Sequence, residues 1–214
     1  MSEVVPTILS ETPDDYKATV ERLHPFAKRV HIDLTDGDFA PTFTVGVNNL
    51  WWPQEWQVDI HAMVRSPSQY VDALIQMKPS LVIFHAEAGE DILPSIQKLK
   101  AAGIKAGVAL LRPTVPATVQ PYIEAANHVL VFSGNLGHYG GTASLMQLEK
   151  VRLIRNIQPS VEIGWDGGAK LDNAFSLSQG GVDVINCGSA ISGAPDPAAA
   201  YKQMVDELSR HSVI

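Results

Sequence analysis

Four ionisable residues in strand-like runs have the types and the parity to hold a cation and move protons. In Val30-His31-Ile32-Asp33-Leu34, apolar and ionisable side chains alternate. Successive side chains of an extended chain point to opposite faces, so His31 and Asp33 share one face and Val30, Ile32 and Leu34 the other. Val58-Asp59-Ile60-His61-Ala62-Met63 repeats the device, with Asp59, His61 and Met63 on one side. In Ile163-Gly164-Trp165-Asp166 the carboxylate shares a face with Gly164, just before Gly167-Gly168. Two imidazoles and two carboxylates suit one divalent ion, Zn, Fe, Mn or Co, and the residue types do not choose among these. Any one of the four alone reads as an interior polar residue with a hydrogen-bond partner. Together, at matching strand positions, they favour a shared cation, because two unpaired buried carboxylates are costly.

Glycine-rich loops point to a second chemistry. Ser133-Gly134-Asn135-Leu136-Gly137-His138-Tyr139-Gly140-Gly141 leads from one strand-like run towards a helical pattern. Gly167-Gly168 and Gly188-Ser189-Ala190-Ile191-Ser192-Gly193 follow two others. Glycine lets backbone N–H groups approach an anion closely, and helix N-termini add a favourable dipole. One such loop would be ordinary turn chemistry. Three at the same end of successive strands favour a phosphate group.

The elements that position these residues alternate along the whole chain. Short apolar, β-branched runs fall near 4–10, 30–36, 58–64, 81–87, 105–111, 128–134, 161–168 and 183–190. Helical patterns lie between them, among them 13–23, 67–77, 91–102, 143–157, 171–179 and 197–209. Pro13-Asp14-Asp15 places proline and acids in a first turn, and Asp196-Pro197 offers an N-cap with proline after it. Gly103 and Gly180-Gly181 sit where C-terminal stops belong. Eight strand–helix units without a linker or a composition break predict one α/β domain over residues 1–214, a (β/α)8 TIM barrel. A doubly wound open sheet would more often stop at five or six strands. Apolar positions would then face the helices, and both histidines and both aspartates would face inwards near the C-terminal strand ends, where such barrels keep their sites.

Composition narrows the partners. A net charge of −7 argues against a broad surface for nucleic acid or anionic membrane. No apolar stretch reaches the roughly 18 residues of a membrane span, and the first ten residues lack a signal-peptide pattern. The single cysteine, Cys187, excludes an internal disulfide and fits a reducing, cytoplasmic setting as a small buried hydrophobe.

Over nearly its whole length the chain resembles the ribulose-phosphate 3-epimerases. The matching segments are Pro6-Thr7-Ile8-Leu9-Ser10, His31-Ile32-Asp33-Leu34-Thr35-Asp36-Gly37-Asp38-Phe39, Asp59-Ile60-His61-Ala62-Met63, Gly107-Val108-Ala109-Leu110, Asp166-Gly167-Gly168 and Gly188-Ser189-Ala190-Ile191. The resemblance implies a ribulose-phosphate-binding barrel in which His31, Asp33, His61 and Asp166 hold one divalent metal. Asp33 and Asp166 would also be the acid/base pair. Ser10, His61 and Met63 would contact substrate, and Gly140, Gly141, Gly168, Gly188 and Ser189 would receive its phosphate. The implied reaction converts D-ribulose 5-phosphate to D-xylulose 5-phosphate without a redox cofactor, in a homo-oligomer.

The chain also departs from that pattern. Thr35 stands where the family has Met, Ala62 where it has Leu, and the loop 134–142 lacks the usual proline and is one residue longer. Smaller residues at 35 and 62 would leave room for a ketohexose phosphate such as allulose 6-phosphate, and the altered loop admits a barrel that binds sugar phosphate without turnover. Lyases and decarboxylases on related barrels carry Asp-x-Lys-x-x-Asp, whereas Asp33-Leu34-Thr35-Asp36 has no lysine. His85 and Glu87, alternate on one run, read either as a pair orienting the site or as a satisfied core pair. His138 reads as a solvated loop residue, Asp36 and Asp38 as turn formers, and the cluster Trp51, Trp52 and Trp56 as core or a subunit contact.

Overall fold

Parallel strands need a crossover on one side of the sheet, and eight in succession can close the sheet on itself. In the computed structural model, which describes residues 2–210, they do. The order is β1 (Glu3–Ile8), α1 (Pro13–Leu23), β2 (Arg29–Thr35), β3 (Gln57–Met63), α2 (Val71–Met77), β4 (Leu81–His85), α3 (Leu93–Ala101), β5 (Lys105–Leu110), α4 (Gln120–Ala125), β6 (His128–Phe132), α5 (Glu149–Ile157), β7 (Glu162–Asp166), α6 (Leu171–Gln179), β8 (Val184–Cys187) and α7 (Pro197–Arg210). Every strand pairs in parallel with its neighbours, and β8 returns to β1, closing the barrel. No helix among the described residues is long and apolar enough to cross a membrane.

Local signals set most element ends. Thr12 caps α1 by accepting a hydrogen bond from the Asp15 amide, with Pro13 in the first turn. Asp196 accepts from the Ala199 amide at the head of α7, as its position before Pro197 predicts. The last strands stop earlier than the apolar pattern does. β7 ends at Asp166 because Gly167 and Gly168 turn to φ of 104° and 71°, and β8 passes at Gly188 into a single wide helical turn, Gly188–Ser192. The segment from 143 is loop and then a 3-10 turn, Leu145–Leu148, before α5 starts. The crossover from β2 to β3 carries only a 3-10 turn, Val47–Asn49, in the place of a helix. It passes through Pro41, Gly46 and Pro53, which interrupt helical hydrogen bonding. There Trp56 is buried and Trp51 is half-exposed, edge-on to Tyr16, whose hydroxyl donates to the Trp51 carbonyl.

Strand parity sorts the core into two shells. Val30, Ile32, Leu34, Val58, Ile60, Ala62, Ile163 and Trp165 pack outwards under the helices, while Leu81, Ile83, Ala109 and Leu130 form a separate apolar plug inside the barrel. Below the plug lies a charged layer built on Arg29. Its guanidinium donates to Asp59 at 2.7 Å, to Glu3 at 2.9 Å and to Glu162 at 2.8 Å, and His128 Nδ1 lies 2.7 Å from Glu162. Asp59, read from parity as inward-facing, is thus the buried partner of Arg29 and stands apart from the metal-type residues above. Burial opposes ionisation of Glu162, but His128 and Arg29 outweigh it and hold the carboxyl well below the usual glutamate range.

Replacing Arg29 by Met leaves Asp59 buried without its cation and costs about 3 kcal/mol of stability at pH 7. A depressed carboxylate pKa contributes stability above the ordinary range and loses it as pH falls through the lowered value. Urea denaturation should therefore show the gap between Arg29→Met and the parent closing below about pH 4. Equal stabilities at pH 7 would show that the layer contributes nothing.

Candidate metal centre and active site

Asp33 and His61 are directly paired across β2 and β3, so their side chains leave the sheet side by side. His31 lies one inward step below Asp33. Asp166 arrives from β7, which the closed sheet separates from β2 by β8 and β1 alone. Outside the barrel, the Trp165 indole donates to the Gly167 carbonyl at 3.0 Å and braces the turn that follows Asp166. One donor atom from each of His31, Asp33, His61 and Asp166 lies within 4.8 Å of the other three. His61 Nδ1 is 3.0 Å from Asp33 Oδ1 and 3.5 Å from Asp166 Oδ2. His31 Nε2 is 3.3 Å from Asp33 Oδ1 and 3.8 Å from Asp166 Oδ2, without the geometry of a hydrogen bond.

These four residues fit a divalent cation. Both nitrogens of the fully buried His31 ring lack a hydrogen-bond partner, which is costly for an imidazole unless another donor–acceptor bond completes it. Two carboxylates and two imidazoles around one point supply the hard and borderline ligands that Zn, Fe, Mn and Co share. Burial pushes the Asp33 carboxyl up, but the approach of His31 and His61 outweighs it and brings the pKa down to about 2. Burial likewise opposes a charge on His61, yet Asp166 and Asp33 raise its pKa to about 9. The carboxylates thus attract positive charge strongly to this point.

Beside the cluster, on β4, a chain of hydrogen-bonding side chains leads away from His61 towards the C-terminal strand ends. His61 Nε2 lies 2.8 Å from His85 Nε2, and His85 Nδ1 lies 3.3 Å from Glu87 Oε2. Glu87 Oε1 accepts from the Leu111 amide at 2.9 Å and from the Thr114 hydroxyl. Burial drives the His85 pKa down to about 4, so its ring is neutral at pH 7 and can accept from one side while donating on the other. Of the two readings of His85 and Glu87, the structure supports the orienting one, since His85 touches the His61 ring of the candidate cluster.

Above the cluster opens a cavity. Asp33, Met63, Phe132 and Asp166 line its floor, and Gly140, Gly168, Gly188 and Ser189 line its far wall. At Gly168, φ is 71° and a Cβ would fall 2.2 Å from the Ala143 nitrogen, so only glycine lets these loops meet. His31 and His61 lie beneath the floor. Gly141 is adjacent to the wall but does not line it. Ser10 lies outside the cavity, in a neighbouring groove with Thr12 and Arg22, and its carbonyl accepts from the Val45 amide. Ala62 points outwards into the layer under the helices, so its small size does not enlarge the cavity, and Thr35 faces inwards without lining it. The exposed His138 does line the cavity mouth. Asp36 accepts from the Asp38 and Phe39 amides, both at 2.9 Å, as a turn former.

Several lining residues had no role assigned from the sequence, among them Phe132 on the floor and three polar ones. Thr7 and Asn186 face inwards on β1 and β8, and Tyr139 reaches over from the long loop. The Tyr139 hydroxyl accepts from the Leu9 amide at 2.7 Å and donates to the Thr7 carbonyl at 3.1 Å, while its ring packs on Gly188. A lone amide in the apolar run Val184-Ile185-Asn186-Cys187 was the available signal for Asn186. Nothing local announced Tyr139.

The profile of the ribulose-phosphate 3 epimerase family matches residues 3–192. A rice protein (Oryza sativa subsp. japonica) named ribulose-phosphate 3-epimerase, cytoplasmic isoform, is 33% identical over 204 residues, covering 92% of this chain and 90% of its own. A Helicobacter pylori protein named ribulose-phosphate 3-epimerase is 31% identical, with 94% and 95% covered. Among solved structures, 3-hexulose-6-phosphate synthase from Salmonella typhimurium superimposes with a TM-score of 0.73 at 19% identity, covering 98% and 99% of the two chains, a likeness of fold alone. With the family profile spanning most of the chain and a candidate metal cluster at the barrel mouth, this protein belongs to the ribulose-phosphate 3-epimerase family and is an enzyme of that type.

Proposed function

We propose that this enzyme inverts C3 of a ketopentose phosphate, D-ribulose 5-phosphate to D-xylulose 5-phosphate, with Asp33 and Asp166 as the two acid/base groups. The observation that carries this reading is the convergence of those two carboxylates, from strands separated by two others, on one buried point beside His31 and His61. Inversion requires one group to take the C3 proton, which the adjacent carbonyl acidifies, and another to return a proton to the opposite face. Two carboxylates reaching the mouth from different sides can exchange those roles. His31, Asp33, His61 and Asp166 would hold the divalent ion, which when bound stabilises negative charge developing on the substrate oxygens. Met63 and Phe132 exclude water from the floor. Gly140, Gly168, Gly188 and Ser189 offer the phosphate site and hold C3 in register with the acids. Ser10, in the groove that adjoins the cavity at Leu9 and Tyr139, and Gly141, next to the lining Gly140, are proposed as further substrate and phosphate contacts from family likeness. A cytoplasmic setting is supported by the name of the rice relative and the lone buried Cys187. A homo-oligomer is proposed from family likeness, with the half-exposed Trp51 as its contact.

Incubated in D2O, D-ribulose 5-phosphate should gain deuterium at C3. Asp33→Asn and Asp166→Asn should each lower kcat by about 10²- to 10⁴-fold while retaining affinity for inorganic phosphate. Full activity in either would refute the two-base assignment.

Removing the metal with a chelator should abolish turnover, and Zn, Fe, Mn or Co should restore it. Below pH 9 the metal-free His61 holds a proton that a cation must displace. Metal affinity, measured by competition with a chromogenic chelator, should therefore rise from pH 6 to pH 8.

His85 acts here as a positioning residue. Were His61 to hold the ion through Nδ1, its Nε2–H would donate to His85, which would in turn donate to Glu87. His85→Phe removes the acceptor and should raise the metal Kd about 10- to 100-fold, read by the same competition. An unchanged Kd would leave His85 as mere packing.

A further inference from the structure

Resting on that reading of the cavity, we propose that Asn186, with Thr7 beside it, binds the hydroxyl on the substrate carbon lying between the reacting centre and the phosphate. Asn186 is 2% exposed and faces inwards, yet neither its Oδ1 nor its Nδ2 has a hydrogen-bond partner. Thr7, also 2% exposed, has an unpartnered Oγ1. Both residues line the same cavity as Asp166, Gly188 and Ser189. Three enclosed and unpaired polar atoms at one place are rare in a folded protein, because each has given up water without a replacement.

The sheet register says where they stand. Asn186 is paired with Val5 on β1, and Thr7 is the next inward residue above Val5. On its other side, Asn186 is one residue beyond Ile185, which pairs with Trp165, and Asp166 follows Trp165. Asn186 therefore sits between the strand that carries Asp166 and the strand that carries Thr7, and just ahead of Gly188-Ser189. It occupies the interval between the carboxylate and the phosphate loop.

A carboxamide presents one donor and one acceptor side by side. A secondary hydroxyl is its complement, accepting from Nδ2 and donating to Oδ1, with the Thr7 hydroxyl as a further partner. In a ketopentose 5-phosphate with C3 at the acids and the phosphate at Gly188-Ser189, that hydroxyl is the one on C4. A site made of buried polar groups rejects a ligand that leaves them unpaired, so this pair selects for an oxygen at C4.

Binding of two inert ligands, D-ribitol 5-phosphate and its 4-deoxy counterpart, measured by calorimetry on the metal-loaded protein, tests this without turnover. The parent should prefer the hydroxylated ligand by about tenfold or more. Asn186→Val should lose most of that preference. Thr7→Val, which keeps the shape of the side chain, should lose part of it and guards against misfolding in the first variant. Identical preference in all three proteins would overturn the assignment and leave Asn186 to ordered water. A preference that is kept in the parent and lost in the variants, from a protein that does not exchange the C3 proton, would support the C4 contact while refuting the epimerisation.

Discussion

Two buried carboxylates, Asp33 and Asp166, converge on one point and cannot both stay ionised there without positive charge between them. The rest of the molecule is arranged around that demand. His31 and His61 stand against both acids, and His61 responds by holding a proton far above the usual imidazole range. That proton occupies the place a divalent ion would take. The site attracts positive charge because two anionic groups have been brought together in a region with little water.

The barrel contains a second solution to the same problem at its other end. There Asp59, Glu3 and Glu162 surround Arg29, whose fork of donors reaches all three at once. A fixed guanidinium makes that layer permanent, whereas imidazoles can give up a proton to a metal. The plug of Leu81, Ile83, Ala109 and Leu130 fills the barrel interior beside them, with Leu81 paired to Asp59 and Ile83 to His61. Function and stability thus use similar residue types on the same strands, distinguished by whether the compensating cation belongs to the chain.

The loops above the site meet a different constraint. Gly168 allows close backbone approach, and Tyr139 ties the long loop to the end of β1 through the Leu9 amide and the Thr7 carbonyl. The longer, proline-free loop is therefore not slack. It is anchored across the mouth by one hydroxyl and one ring packed on Gly188. The departure at 62 does not reach the cavity, since Ala62 faces the helices, while Thr35 faces inwards next to the lining residue Met63.

Parity and residue type were legible in the chain itself. Alternation in Val30-His31-Ile32-Asp33-Leu34 and Val58-Asp59-Ile60-His61 determined which side chains face inwards, because a strand reverses its side chains at every residue whatever it packs against. Strand–helix alternation likewise determined the barrel, as parallel strands demand crossovers. What parity could not give was height and neighbourhood. Asp59 and His61 share a face, yet one pairs with Arg29 below and the other meets Asp166 above. Ser10 and Thr7 both lie in the first matching segment, yet only Thr7 reaches the cavity, because β1 ends at Ile8. Those outcomes depend on the closure of β8 onto β1 and on the stagger of strands around the ring, which no single segment encodes. Sequence alone determined which residues had the chemistry; the closed barrel decided which of them would meet.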